Sequence, residues 1–280
     1  MAMIVIADSG STKTTWCILD PVTGSTDMGK TSGINPFYQE APGILSMLQG
    51  EFKLKKAGVD AVYFYGAGCI NDKVGLVRWA LGSFFHTDHI KVYSDLMGAA
   101  RSLCGREEGI ACILGTGSNS CYYDGKTIVQ HVSPLGFILG DEGSGAVLGR
   151  VLVGDILKSQ LPDYLIKRFF EHYDTTPAVI MDAVYRQPFP NRYLARFTHF
   201  ISANIDEPAL AAIVRNSFDA FFIRNVAQYP GAADLPLHFT GSIALVFQEI
   251  LKQSAGSFGY RPGKIVSDPM EGLMRYHRTS

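Results

Sequence analysis

The chain has 280 residues, 47% of them hydrophobic and 18% charged, which suits a soluble globular protein of one large or two ordinary domains. A formal net charge of −1 argues against partners held by bulk electrostatics, such as nucleic acid or an anionic membrane surface. Five cysteines with no CxxC spacing fit reduced thiols in a cytoplasm better than a disulfide framework or a zinc site. No apolar run approaches the roughly 18 residues of a membrane helix, and no signal-peptide pattern opens the chain.

The stretch Ile4-Val5-Ile6-Ala7-Asp8-Ser9-Gly10-Ser11-Thr12-Lys13-Thr14-Thr15-Trp16 reads as strand, small-residue turn, strand. Branched side chains crowd its first segment, and Ser, Gly and Thr punctuate the turn. Two readings of that turn stand side by side. In one, Gly10 lets the backbone approach a bulky anion, Ser11, Thr12 and the turn N–H groups donate, Lys13 adds positive charge, and Asp8 holds a hydrated cation. In the other it is an ordinary polar β-turn.

Strands are predicted over 3–7, 14–19 and 26–31, with a turn at Asp20-Pro21-Val22-Thr23-Gly24. Gly24-Ser25-Thr26-Asp27-Met28-Gly29-Lys30-Thr31 matches the G-x4-G-K-T phosphate loop letter for letter. That motif needs a helix starting at its lysine. Gly33 and Pro36 oppose one there, so the match is read as coincidence. A helical pattern covers 36–57, with Pro36 near its start and Pro42-Gly43 as an early interruption. A strand at 61–65 closes on Gly66-Ala67-Gly68; a helix over 72–84, a strand over 90–93, Ser94-Asp95 and a helix over 96–103 follow.

Then the chain starts again. A buried strand at 110–114 ends in Gly115-Thr116-Gly117-Ser118-Asn119-Ser120, and a hairpin follows around Asp124-Gly125. The repeated strand–turn–strand unit suggests a duplicated lobe. A Gly-rich loop from Pro134 to Gly145 leads into a helix over 144–158. Residues 162–247 read as mainly helical, with breaks at Pro177, Pro188-Phe189-Pro190 and Pro208. A strand at 237–240, a helix from Gly241-Ser242 to about 253, a loop over 254–262, a short strand at 264–266 and a closing helix over 269–277 complete the pattern.

Asp95, at a strand's carboxyl end, suits a general base and equally suits the N-cap of the next helix. Taken alone, Asp141 and Glu142 read as a solvated loop pair and Asn119 as a turn residue. The histidines have no metal-ligand spacing, which leaves His131 and His238 with structural roles.

Asp8 to Lys13, Ser94-Asp95, Gly115 to Asn119, Gly140-Asp141-Glu142-Gly143-Ser144 and Thr240-Gly241-Ser242 stand in an order that resembles the actin/hexokinase/Hsp70 ATPase superfamily over nearly the whole chain. The likeness is to its N-acetylglucosamine kinase branch, which shares a sequence family with the ATPase subunits of benzoyl-CoA reductase. The resemblance implies an α/β fold of duplicated ribonuclease H-like (actin-like ATPase) lobes, each a mixed five-stranded sheet with flanking helices, about a cleft. Residues 1–105 with the closing helix at about 267–280 would form the first lobe, and 106–266 the larger second. It implies ATP and Mg2+ as cofactors. Gly10, Ser11, Thr12 and Lys13 would hold the β/γ-phosphates with Asp8 at the metal. Gly115, Thr116 and Gly117 would meet the phosphates from the other lobe, and Gly241 and Ser242 would line the adenosine pocket. Asp95 matches the general base, Asn119 and Asp141 match sugar-hydroxyl ligands, and Asn35 falls near the sugar loop.

Ser133-Pro134-Leu135-Gly136 departs from the Gly-Gly-Trp-Gly usual in these kinases, so the reaction is better defined than its acceptor. The implied activity is phosphorylation of a sugar hydroxyl, with N-acetylglucosamine at its 6-position the favoured acceptor. The expected partner is a small-molecule sugar in the cytoplasm, with a homodimer left open and neither nucleic acid nor membrane involved. One alternative is an ATPase that couples hydrolysis to activation of a partner reductase through a cysteine-held iron–sulfur cluster. Cys69 and Cys104 are the candidates for it, against their being small buried hydrophobes. Another is a non-catalytic, nucleotide-dependent sugar sensor.

Overall fold

The computed structural model describes residues 3–10, 12–56 and 58–278. The chain divides into two compact units, Met1–Glu108 with Tyr123–Ile128 and Asp268–Ser280, and Gly109–Tyr122 with Val129–Ser267.

In the first unit β1 (Met3–Ser9), β2 (Lys13–Leu19), β3 (Thr26–Ser32), β4 (Val59–Gly66) and β5 (Ile90–Ser94) form one sheet in the order β3-β2-β1-β4-β5. The first three strands are an antiparallel meander, and β1, β4 and β5 run parallel. Both faces of β1 are covered, which is why its sequence is a continuous apolar run and not an alternation. Val5 and Ala7 join Trp16, Phe64 and Phe85 beneath helices Ala41–Glu51 and Lys73–Phe85. Ile6 joins Cys17, Leu19 and Tyr65 against Met270 and Leu273 of the last helix, Met270–Arg278. That helix lies close to its neighbour Asp95–Cys104: a Cβ on Gly272 would come within 2.2 Å of Ser102 Oγ. The Tyr65 hydroxyl and His277 Nε2, 2.9 Å apart, pin it to β4.

The phosphate-loop lookalike is β3 itself. Gly29 pairs with Trp16, and a Cβ there would press to 3.0 Å from the Leu54 side chain, so this glycine serves packing. The first helix begins at Ala41, not Pro36. Residues 36–38 form a turn in which Tyr38 N donates to Asn35 O at 3.0 Å. Pro42 opens the helix instead of interrupting it, since its missing N–H belongs to the unpaired first turn.

Most of the second five-stranded sheet lies in the second unit; it is formed by β6 (Glu108–Leu114), β7 (Ser118–Asp124), β8 (Ile128–His131), β9 (Pro236–Thr240) and β10 (Arg261–Val266). Read from β8, its order β8-β7-β6-β9-β10 repeats β3-β2-β1-β4-β5, with β6, β9 and β10 parallel. This is the mixed, duplicated α/β topology the family resemblance implied. The helical stretch breaks at Pro177, Pro190 and Pro208 as expected, each proline opening the next helix, Pro177–Tyr185, Pro190–Ala195 and Pro208–Arg224. Phe169, Phe197, Phe200, Phe218, Phe221, Phe222 and Phe239 fill the core between helices and sheet. The helix at Ser242 stops at Val246 and resumes over Gln248–Ser257, past the expected loop start at 254. Among the described residues, no helix is long and apolar enough to cross a membrane.

Candidate active site

The C-terminal edge of the first sheet is set by register. Ser9 of β1 pairs with Gly66 of β4, which pairs with Ser94 of β5. Parallel α/β sheets bind ligands outside this edge, and Asp8 and Asp95 both lie on it. Asp95 is the first residue of helix Asp95–Cys104, and the N-cap is Ser94, whose Oγ accepts from Met97 N at 3.2 Å. The N-cap reading of Asp95 is therefore corrected: the cap position is filled one residue earlier, and the Asp95 carboxylate accepts from its neighbour Leu96 N, at 2.8 Å. Burial pushes the Asp95 carboxyl above the usual range, with the Leu96 N–H opposing. Asp8 is pushed up to about 7, first by burial, then by the charges of Asp95 and Asp268, against Lys13. Asp268, absent from the sequence reading, caps the last helix through Met270 N at 3.1 Å; an aspartate before Pro269 was its only signal.

The β1–β2 turn presents Gly10, Thr12 and Lys13 to solvent and is closed by Gly10 N donating to Lys13 O at 3.0 Å. Ser11 lies outside the described residues. A Cβ on Gly10 would meet nothing nearer than Lys13 O at 3.9 Å, so the glycine leaves space and relieves no internal clash. Behind the turn the hydroxyls face inward. Ser9 Oγ lies 2.7 Å from Thr14 Oγ1, donates toward Ile34 O at 3.1 Å and accepts from Ile34 N at 3.0 Å. Gly33 N reaches Thr12 O at 3.1 Å, and Ala67 N reaches Ser9 O at 2.9 Å. These bonds bring Asn35 to the same strand end, its Oδ1 accepting from Phe37 N at 3.0 Å. A Cβ on Gly68 would stand 2.6 Å from that oxygen, and its φ of +76° also demands glycine. Ser9→Ala should cost about 1–3 kcal/mol by leaving the buried Ile34 N–H unpaired; a urea midpoint identical to wild type would dismiss this brace.

The second unit gathers its own set. Gly115 N donates to Gly117 O at 2.9 Å between β6 and β7, while Gly145 N and Ala146 N donate to Gly115 O and Thr116 O at 2.8 and 3.0 Å. The hairpin is thus seated on the first turn of helix Gly145–Leu157, capped by Ser144. A Cβ on Gly117 would lie 3.1 Å from Asp141 Oδ2. Asp141 sits at φ 53°, its N–H donating to Pro134 O at 2.8 Å. Burial pushes its carboxyl up to about 6, against a hydrogen bond from the Ser118 backbone. Glu142 is no solvated loop partner. Its carboxylate is largely buried and pairs with Arg224 at 2.5 Å. Asn119 lies in β7, not a turn. Gly241, at φ +120°, sits where a Cβ would fall 2.3 Å from Leu114 O, so it and Ser242 abut the same strand end. The preceding Thr240 Oγ1 is buried without a partner among the described residues. His238 Nδ1 accepts from Lys264 N at 2.9 Å, a structural role.

All five cysteines are buried thiols outside any disulfide. Burial pushes the Cys69 thiol up to about 12, away from the thiolate that ligates iron. Among the described residues no group of three His, Cys, Asp or Glu is placed to hold a metal. The donor set fits Mg2+ in a narrower way: Asp8 is a carboxylate crowded by two others, and Mg2+ commonly takes one or two carboxylates and completes its shell with nucleotide phosphates.

No family profile and no curated protein matches the chain. Among solved structures it resembles a provisionally named N-acetylglucosamine kinase from Porphyromonas gingivalis, 50% identical over 99% of both chains with a TM-score of 0.96. A second provisionally named N-acetylglucosamine kinase, from Chromobacterium violaceum, is 18% identical over 99% of both chains at a TM-score of 0.73. A ROK-family glucokinase from Streptomyces griseus, solved with glucose and AMPPNP, is 16% identical at 0.55, over 100% of this chain and 99% of its own. The last two share the fold; the first shares sequence along the whole length. The chain belongs to the actin/hexokinase/Hsp70 ATPase superfamily, in its N-acetylglucosamine kinase-like branch.

Proposed function

We propose that the chain is an ATP-dependent sugar kinase whose acceptor is N-acetylglucosamine, phosphorylated at O6. The observation that carries the reading is Asp95, a carboxylate at the C-terminal edge of the first sheet beside Asp8. The name given to the P. gingivalis relative supports the choice of sugar.

A kinase must hold an acceptor hydroxyl in line with the γ-phosphate and take its proton as the bond forms. In this reading Asp95 accepts that proton. Burial makes its ionised carboxylate a stronger base than an exposed one. Gly10, Ser11, Thr12 and Lys13 of the turn meet the phosphates, with Asp8 as the cation's carboxylate. Bound Mg2+ supplies positive charge to the phosphate oxygens. Gly115, Thr116 and Gly117 supply a second set of phosphate contacts. Gly241 and Ser242 flank the adenosine. Asn35, Asn119 and Asp141 orient the sugar.

The test is ADP release with and without N-acetylglucosamine, glucose and other amino sugars. Sugar-dependent release, with the phosphate recovered on O6, supports the assignment. Release indifferent to every sugar would favour a work-coupled ATPase, and sugar binding without release a sensor.

A further inference from the structure

Asn119 and His131 face each other across the β7–β8 hairpin, His131 Nε2 standing 2.8 Å from Asn119 Oδ1. The same Oδ1 accepts from Ser120 N at 3.0 Å. A backbone N–H can only donate, so the Asn119 atom facing it is the oxygen, and the amide orientation is fixed without appeal to the ring. The imidazole nitrogen that meets this oxygen must then carry the hydrogen. Partial burial pushes the His131 pKa down, which favours the neutral ring with its proton on Nε2. Two donors saturate Oδ1. The Asn119 Nδ2 group has no partner among the described residues.

We propose that His131 is a positioning residue for the acceptor sugar: its Nε2–H, with Ser120 N–H, locks the Asn119 amide so that Nδ2 faces outward purely as a donor. The inference rests on the proposed role of Asn119 as a sugar ligand. It adds a chemical restriction to that role. Asn119 can meet only an acceptor atom of the substrate, a hydroxyl oxygen or an acetamido carbonyl, while the Asp141 carboxylate calls for a hydroxyl or amide hydrogen. An unlocked amide could rotate and offer either end, and would lose that discrimination.

The test is a steady-state series on the full-length enzyme with N-acetylglucosamine and ATP. His131→Phe keeps a ring without the donor and should raise the sugar KM about five- to tenfold, the worth of one neutral hydrogen bond, with kcat and the ATP KM within about twofold. His131→Gln returns an N–H donor at similar reach and should restore the sugar KM. Equal KM increases in both variants, or a loss confined to Tm, would overturn the proposal. Asn119→Ala separates the two layers. If it leaves the sugar KM unchanged, the role of Asn119 is wrong and the inference falls with it. If it raises KM while His131→Phe does not, only the positioning role fails. Independently of any variant, 15N shifts of the wild-type ring should report the Nε2–H tautomer, and the Nδ1–H tautomer would rule the lock out.

Discussion

Asp95→Asn should lower sugar-dependent turnover by about a hundred- to ten-thousand-fold, the usual worth of a positioned general base. The asparagine keeps the shape and can still accept from Leu96 N, but it cannot take the acceptor's proton. ATP affinity should stay within about twofold, because the phosphate turn and Asp8 are untouched. The measurement is a coupled ADP assay beside nucleotide binding by calorimetry. A variant with full turnover removes Asp95 from the chemistry. A variant that loses ATP binding as well would mean that the side chain supports the nucleotide site instead.

The second large effect concerns stability. The Asp8 carboxyl titrates near 7 in the folded chain and near 3.8 when unfolded. Between those values the folded state binds the extra proton. Stability therefore falls as pH rises from about 4 to 7, and the whole penalty is present above 7. At about 1.4 kcal/mol for each pH unit of displacement, the penalty is roughly 4 kcal/mol. Asp8→Asn removes the buried charge, so it should stabilise the protein at pH 8, progressively less toward pH 5, and hardly at all near pH 4. The same variant should lose most of its stabilisation by ATP with Mg2+, since a ligand raises stability only through its affinity for the folded state. Denaturant unfolding across this pH range reads both. A destabilised variant at pH 8 would show that Asp8 is held by favourable partners and not by frustration. Active sites commonly carry such opposed demands.

Much of this was legible in the residues. The strand–turn–strand units at Gly10 and Gly117 announced the duplication, because short runs of branched apolar residues and small-residue turns are local signals. The glycine segments at Asp141 and Gly241 were readable too, since close backbone approach demands glycine wherever it occurs. Pro42 was misread: it is as compatible with a first helical turn as with an interruption, and only the residues around it decide. The contacts of Asp268 and His131 could not be found. Asp268 matters through Asp8, which is distant in sequence, and His131 through a cross-strand partner whose amide orientation is fixed by a third residue. Glu142 was read as solvated because its partner, Arg224, comes from a helix far along the chain. Pairings made by tertiary structure leave no local pattern.

The first unit is assembled from segments that leave the ribosome far apart in time. Tyr65 and His277 are 212 positions apart, so the strand face made by Ile6, Cys17, Leu19 and Tyr65, covered in part by Met97 and Gly98 of helix Asp95–Cys104, is completed only when Met270 and Leu273 have been translated. The nascent chain carries that incomplete face while most of the second unit is made. A fragment ending at Glu108 would leave the Met270 and Leu273 part of that face exposed and tend to aggregate, so the first sheet needs the last helix to be complete.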